Sequence, residues 1–280
     1  MARLFTALLL LLSIVGRAQQ SVAYDQSDIR QVSLLGGPTP AIDRTLIGLG
    51  KTFLGKPYLH HTLDGNPTER LVVNFQQFDC TTFLETTLAL TLALNNQPTQ
   101  SVPARLEPLF RDYLTKFRYR NGRIDGYASR LHYFSDWLHD NERKGLVRDI
   151  TGEIGGVQVS KAVSYMTAAT HRYPHLRDPA TYKQIALTEA TISRQPFYFI
   201  PKKHIRDIEA SLKEGDIIML TAARPGLDMK HVGFAVWQQG RVHLLHASSD
   251  YGSVMITRYP LAEYANWHKG LSGIRVARLK

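Results

Sequence analysis

The stretch that most constrains this chain runs from Asp79 to Asn95, DCTTFLETTLALTLALN, because as a helix it is apolar on nearly every side. A helix of that kind cannot lie on a surface, so the fold must be built around it. Asp79 is a suitable N-cap, and Phe83, Leu84, Leu88, Leu92 and Ala93 follow at helical spacing; Pro98 bounds the far end. Cys80, the single cysteine of the 280 residues, then falls in the first turn of a buried helix. The unpaired amides and positive dipole end there favour thiolate over thiol, which predicts a lowered pKa. The same amides can hold the oxyanion that forms when sulfur attacks a carbonyl. The plainer alternative is that Cys80 is a small buried hydrophobe.

The lone thiol gains weight from its setting. Arg3, the apolar run Leu4 to Val15 and the small-x-small triplet Gly16-Arg17-Ala18 have the order of a secretory signal, predicting export and cleavage near Ala18. The apolar run is too short to span a bilayer, and no other segment reads as a membrane helix. An exported chain with one cysteine forms no internal disulfide, and a thiol kept in an oxidising compartment points to a chemical task. The formal charge of +10 falls by two, to +8, when Arg3 and Arg17 leave with the signal. This suits an anionic partner such as peptidoglycan stem peptides. The bases are scattered, with no basic arm or stacking motif, which argues against nucleic acid.

Along the chain, Ile42 to Gly50 predicts a short helix and Leu71 to Phe75 a brief extended run into the Cys80 helix. Helices are expected over 104–114, within 127–142 and over 182–193, with 150–156 a loop and 195–201 a proline-bounded stretch. The character then changes. Short Val-, Ile- and Leu-rich segments at 216–220, 232–237, 242–247, 254–258 and 273–279, separated by turn signals, predict an antiparallel sheet. Helices first and strands second is an α+β order, so the Cys80 helix is expected to pack on one face of that sheet. Without repeats or linkers, residues 19–280 read as one domain with a helical insertion at about 96–201.

A thiol nucleophile works with a base, and position selects among eleven histidines. His231 opens the strand His231-Val232-Gly233-Phe234, where Gly233 allows close approach of another backbone. His243 and His246 lie three apart on the next strand and so face opposite ways. A hairpin turn at Gln239-Gly240 brings His246 near His231, where a second polar group can orient the base. A zinc site scores poorly. His171 and His175 are separated by Pro174, His60 and His61 have no evident third ligand, and no His-Glu-x-x-His occurs. No metal or other cofactor is expected.

The segments Leu212 to Ile218, His231 to Phe234 and Leu245 to Ser248 resemble the second half of the NlpC-type papain-like cysteine peptidases of bacterial cell walls. Asp79-Cys80 opening a helix is similar to their first half. More closely, Gly55-Lys56-Pro57-Tyr58, Val73-Asn74-Phe75, Phe78 to Glu85, Arg130 to Trp137 and Lys230 to Gly233 together resemble the N-acetylmuramoyl-L-alanine amidase-like branch of that superfamily. The resemblance implies a papain-like α+β fold with Cys80 as nucleophile, His231 as base and His246 as the third, polar member. It also implies a substrate or oxyanion role for Tyr58, Asp79 and Asn74. The cysteine is followed by Thr81-Thr82 where the wider pattern has Ser-Gly. The segment around Arg130, His132, Tyr133 and Trp137, rich in groups that hold carboxylates and sugar rings, is expected to form a substrate wall. The branch is associated with cutting between muramic acid and L-alanine in peptidoglycan or muropeptides. The competing readings are an endopeptidase cutting the γ-D-glutamyl bond within the stem and a non-catalytic muropeptide-binding protein.

Overall fold

The computed structural model describes residues 42–96 and 106–280. The predicted signal and cleavage site lie outside the described residues. Eleven residues, Ile42–Thr52, form α1, and Cys80–Asn95 form α2. The Asp79 carboxylate accepts from the Thr82 N–H at 2.7 Å, and the Thr82 hydroxyl accepts from the Asp79 N–H at 2.9 Å. This reciprocal capping box fixes where α2 begins and so where Cys80 stands. From Thr82 to Ala93 every residue of α2 is buried.

Then follow α3 (Leu106–Arg118), α4 (Phe134–Arg143), β1 (Val147–Asp149), β2 (Val157–Val159), the single turn α5 (Tyr165–Ala168) and α6 (Pro179–Arg194). After these come β3 (Phe197–Pro201), β4 (Ile217–Ala222), β5 (Met229–Gln238), β6 (Arg241–Ser248), β7 (Ser253–Ile256), α7 (Leu261–Trp267) and β8 (Leu271–Leu279). The strands form one antiparallel sheet in the order β2-β3-β8-β4-β5-β6-β7, with β1 also paired to β8. The chain is therefore mixed α+β, and the five predicted strands form one continuous run of the sheet, from β8 to β7 at its edge.

Alternation along the strands divides two cores. Ile217, Met219, Val232, Phe234 and Leu245 face α1 to α4, while Ile218, Leu220, Ala235, Leu244 and Val276 face α7 and the 202–212 segment. Burial on both faces explains the nearly continuous apolar runs in β4 and β6.

Several expectations need correction. Leu71 to Phe75 is not a strand; its course is held by polar contacts from elsewhere, including Arg118 donating to the Val72 carbonyl at 2.6 Å. The proline-bounded stretch is strand β3, and β1 and β2 flank the loop at 150–156. The region from 96 to 201 is not a purely helical insertion. Its α3 and α4 belong to the main core through Phe110, Leu114, Phe117 and Trp137, and β1 and β3 extend the main sheet along β8.

Candidate active site

Three segments meet at the head of α2. Cys80 comes from the helix, His231 and His246 from neighbouring strands, and Tyr58 from the loop after α1. That loop is fixed on two sides. The Tyr58 N–H donates to the Gly252 carbonyl at 2.8 Å, and the Phe78 and Leu59 N–H groups bond across it at 3.0 and 2.9 Å.

The strand β5 is made to receive Cys80. Its ladder with β6 runs from Gln238 opposite Arg241 to Phe234 opposite Leu245 and then stops, while Leu220, Met219 and Ile218 of β4 still pair with His231, Val232 and Gly233. The Val232 N–H points to the Cys80 thiol, as do the Thr81 N–H and hydroxyl. Where the ladder ends, backbone and side chain nearly touch. A Cβ on Gly233 would lie 2.6 Å from the Leu245 carbonyl oxygen and 2.9 Å from His246 Cβ.

His231 Nε2 lies 2.6 Å from His246 Nδ1, with the rings at 85°. His243 turns the other way and meets the Thr257 carbonyl at 2.7 Å, as its position on the strand predicts. If His231 Nδ1 is to accept a proton, the neutral ring carries its hydrogen on Nε2 and donates it to His246 Nδ1. His246 then carries its own hydrogen on Nε2, a buried atom with no hydrogen-bond partner. Its ring neighbour on that side of the sheet is Tyr264 of α7, at 5.7 Å and 72°.

The electrostatics differ from the sequence expectation. Cys80 is half-buried, and desolvation together with the Asp79 carboxylate pushes its thiol up to about 12 despite the helix amides. Burial pushes His231 down to about 4 and His246 well below the usual histidine value. The resting pair is thus a thiol and a neutral imidazole. Burial, followed by the nearness of Cys80, raises the Tyr58 phenol well above the ordinary tyrosine value, so it stays protonated as a donor; the Cys80 N–H lies against its oxygen.

The other predicted site residues divide. Asp79 is occupied by the capping box and by the Thr62 hydroxyl at 2.9 Å. Asn74 shapes the turn before α2, its side-chain oxygen accepting from the Gln76 and Gln77 N–H groups at 2.8 and 3.1 Å. The substrate wall is corrected. Trp137 is fully buried and donates to Glu85 of α2 at 3.2 Å, beside the Arg118–Glu85 ion pair of 2.6 Å. Tyr133 is buried and donates to Glu189 at 2.5 Å. His132 contacts the Tyr127 carbonyl at 2.9 Å and is pushed down to about 3 by burial and then by Arg130. Arg130 is itself buried, paired with Asp64 at 2.7 Å and Glu69 at 3.5 Å. It braces the 59–70 loop from within and presents little surface to a ligand.

Sequence reading missed Lys230, Asp250, Tyr264 and His268, which line a pocket beside His231. Tyr264 and His268 sit on or just after α7, too short a helix for periodicity to reveal. Among the described residues no group of three or more His, Cys, Asp or Glu is placed to hold a metal ion.

The AmiA-like (N-acetylmuramoyl-L-alanine amidase-like) family model matches residues 48–271, which include every residue of this site. The chain belongs to this family. A crystal structure of an N-acetylmuramoyl-L-alanine amidase from Bacteroides uniformis is similar at 35% identity and TM-score 0.80, over 86% of this chain and 100% of that one. A Bacteroides fragilis protein named a proposed xylanase is similar at 38% identity and TM-score 0.76, over 83% and 100%. A Legionella pneumophila protein placed in DUF1460 shares the fold at 22% identity and TM-score 0.69, over 91% and 94%. No curated protein matches the sequence. AmiA-like membership makes the chain an amidase-like hydrolase; its site places a cysteine and two histidines at one helix end.

Proposed function

We propose that this protein is an exported cysteine amidase with a papain-like fold of the NlpC type, cleaving the amide between the lactyl group of N-acetylmuramic acid and L-alanine in peptidoglycan or muropeptides. The observation that carries the reading is the 2.6 Å His231–His246 bond next to the residue whose amide meets the Cys80 thiol. In this mechanism Cys80 Sγ attacks the lactyl carbonyl as its proton passes to His231 Nδ1. The negative charge on oxygen is taken by the Tyr58 hydroxyl, whose oxygen is itself held by the Cys80 N–H. The imidazolium, supported by His246 Nδ1, protonates the L-alanine nitrogen. The amine leaves and a thioester remains. Water, deprotonated by His231, attacks the thioester; the sugar acid leaves and the thiol is restored. Because thiol and imidazole rest neutral, proton transfer accompanies attack.

The predicted signal and family membership support a location outside the cytoplasm, and no helix among the described residues is long and apolar enough to cross a membrane. A glycosidase reading, suggested by one neighbour's name, requires two carboxylates flanking the bond. Asp79, the carboxylate adjoining Cys80, has both oxygens engaged, by Thr82 and by Thr62. This favours acyl transfer.

The test is mass analysis of products from a defined N-acetylmuramoyl tripeptide. The expected products are the free sugar acid and a tripeptide beginning with L-alanine. A sugar still bearing alanine, or a released L-alanyl-D-glutamate, overturns the amidase in favour of a stem endopeptidase. No turnover, with binding retained, favours a muropeptide-binding protein.

A further inference from the structure

The expected anion-binding arginine, Arg130, is buried and paired with Asp64 and Glu69, which leaves open what receives the carboxylates of an acidic stem peptide. The sheet supplies a different cation. Between Leu220 and Thr221 the β4–β5 register shifts: Leu220 pairs with His231, but Thr221 pairs with Met229. Lys230 is the extra, unpaired residue of a β-bulge. In a regular strand Lys230 and His231 would point to opposite faces; a bulge re-aims the extra side chain. Here both line the same pocket, with Asp250, Tyr264 and His268.

The lysine is directed and unneutralised. Its Nζ lies over Gly270, where an added Cβ would come within 3.0 Å, so the absence of a side chain at 270 gives the ammonium its place. Lys230 is exposed and makes no ion pair among the described residues. The pocket's carboxylate, Asp250, is 4.0 Å from His268 Nε2, so the acid present is turned to the histidine. The charge of Lys230 nevertheless reaches the site, since it is one of the influences on His231.

We propose that Lys230, re-aimed by the bulge, binds a carboxylate of the peptide in the cleft beside His231, making the site selective for acidic stem peptides. On the amidase reading, on which this inference rests, the natural candidate is the α-carboxylate of the D-glutamate that follows L-alanine. An ammonium meeting a carboxylate in a half-enclosed pocket forms a charge-assisted bond that the neutral α-amide cannot reproduce.

The experiment compares binding of N-acetylmuramoyl-L-alanyl-D-glutamate and of its D-isoglutamine amide to the Cys80→Ala protein by calorimetry. With Lys230 present, the acid should bind roughly ten-fold more tightly than the amide, a preference that weakens with salt. In Lys230→Met the acid should fall to the level of the amide while the amide is unchanged, and Lys230→Arg should keep most of the preference. Equal binding of acid and amide, a preference that survives Lys230→Met, or no binding of either overturns the proposal. Product analysis with the unmodified enzyme tests the amidase reading separately.

Discussion

Gly233 and His246 compete for one volume: a side chain on the first would meet the Cβ of the second at 2.9 Å. Glycine at 233 is the condition for His246 to stand where it bonds His231. Gly233→Ala is therefore expected to push β6 away and lengthen the His231–His246 bond. Activity should drop roughly 100-fold, the scale of an ångström displacement in a catalytic group. Stability should fall by about 1–3 kcal/mol, the usual cost of overpacking. Turnover and thermal melting of the variant check both.

The neutral resting pair fixes the pH behaviour. As the proposed base His231 must be unprotonated, and burial pushes its pKa down to about 4. On the proposed mechanism kcat/KM should hold from neutrality down to about pH 5 and fall below, lower than an ordinary histidine would allow. Alkylation of Cys80 by iodoacetamide should be slow at pH 7 and still rising above pH 9, because the thiol titrates near 12. A plateau of alkylation near neutrality would contradict the neutral pair.

Stability should follow the same groups. His132, His231 and His246 have folded-state pKa values below the unfolded value of about 6.5. In that window the unfolded chain binds more protons than the folded one, so stability is lost as pH falls from about 6.5 toward 4. Urea midpoints across this range should show the loss, and His132→Asn should flatten the slope.

Further along α2 from Cys80, Glu85 is buried against Arg118 of α3 and receives the Trp137 N–H. Arg118→Met leaves the carboxylate without its partner and should cost about 3–5 kcal/mol in denaturant unfolding. Glu85→Gln combined with Arg118→Met should recover part of that loss.

Arg130→Ala is expected to act through the loop it braces. Release of Asp64 and Glu69 should loosen residues 59–70 and with them Tyr58, changing kcat and KM together and speeding proteolytic nicking in that loop. A pure rise in KM, with the loop still protected, would instead restore direct substrate contact.

How far the sequence could be read depended on the range of the interactions involved. Cys80 at a helix start was readable because Asp79 and Thr82 cap it within four residues. The approach of His246 to His231 was readable because a two-residue turn, with φ of 50° at Gln239 and 74° at Gly240, sets the register of β5 against β6. The roles of Arg130 and Trp137 were not readable. An arginine and a tryptophan look alike in a substrate wall and in a core, and only partners 66 and 52 residues away decide. The raised thiol pKa escaped for a similar reason: the helix dipole is visible in a sequence, but the desolvation that outweighs it is a property of the assembled core. Strand β3 was hidden by Pro196 before it and Pro201 at its end, and the bulge at Lys230 leaves no local mark.

The amide of Val232, directed at the Cys80 thiol, joins two parts of the chain about 150 residues apart. On the proposed mechanism neither part holds a working centre alone: a partly unfolded chain, or one with a frayed β5, carries the sulfur apart from the imidazole proposed as its base. On the proposed mechanism, hydrolytic competence therefore depends on the docking of sheet on helix: whatever parts β5 from α2 silences the site without touching a single side chain in it.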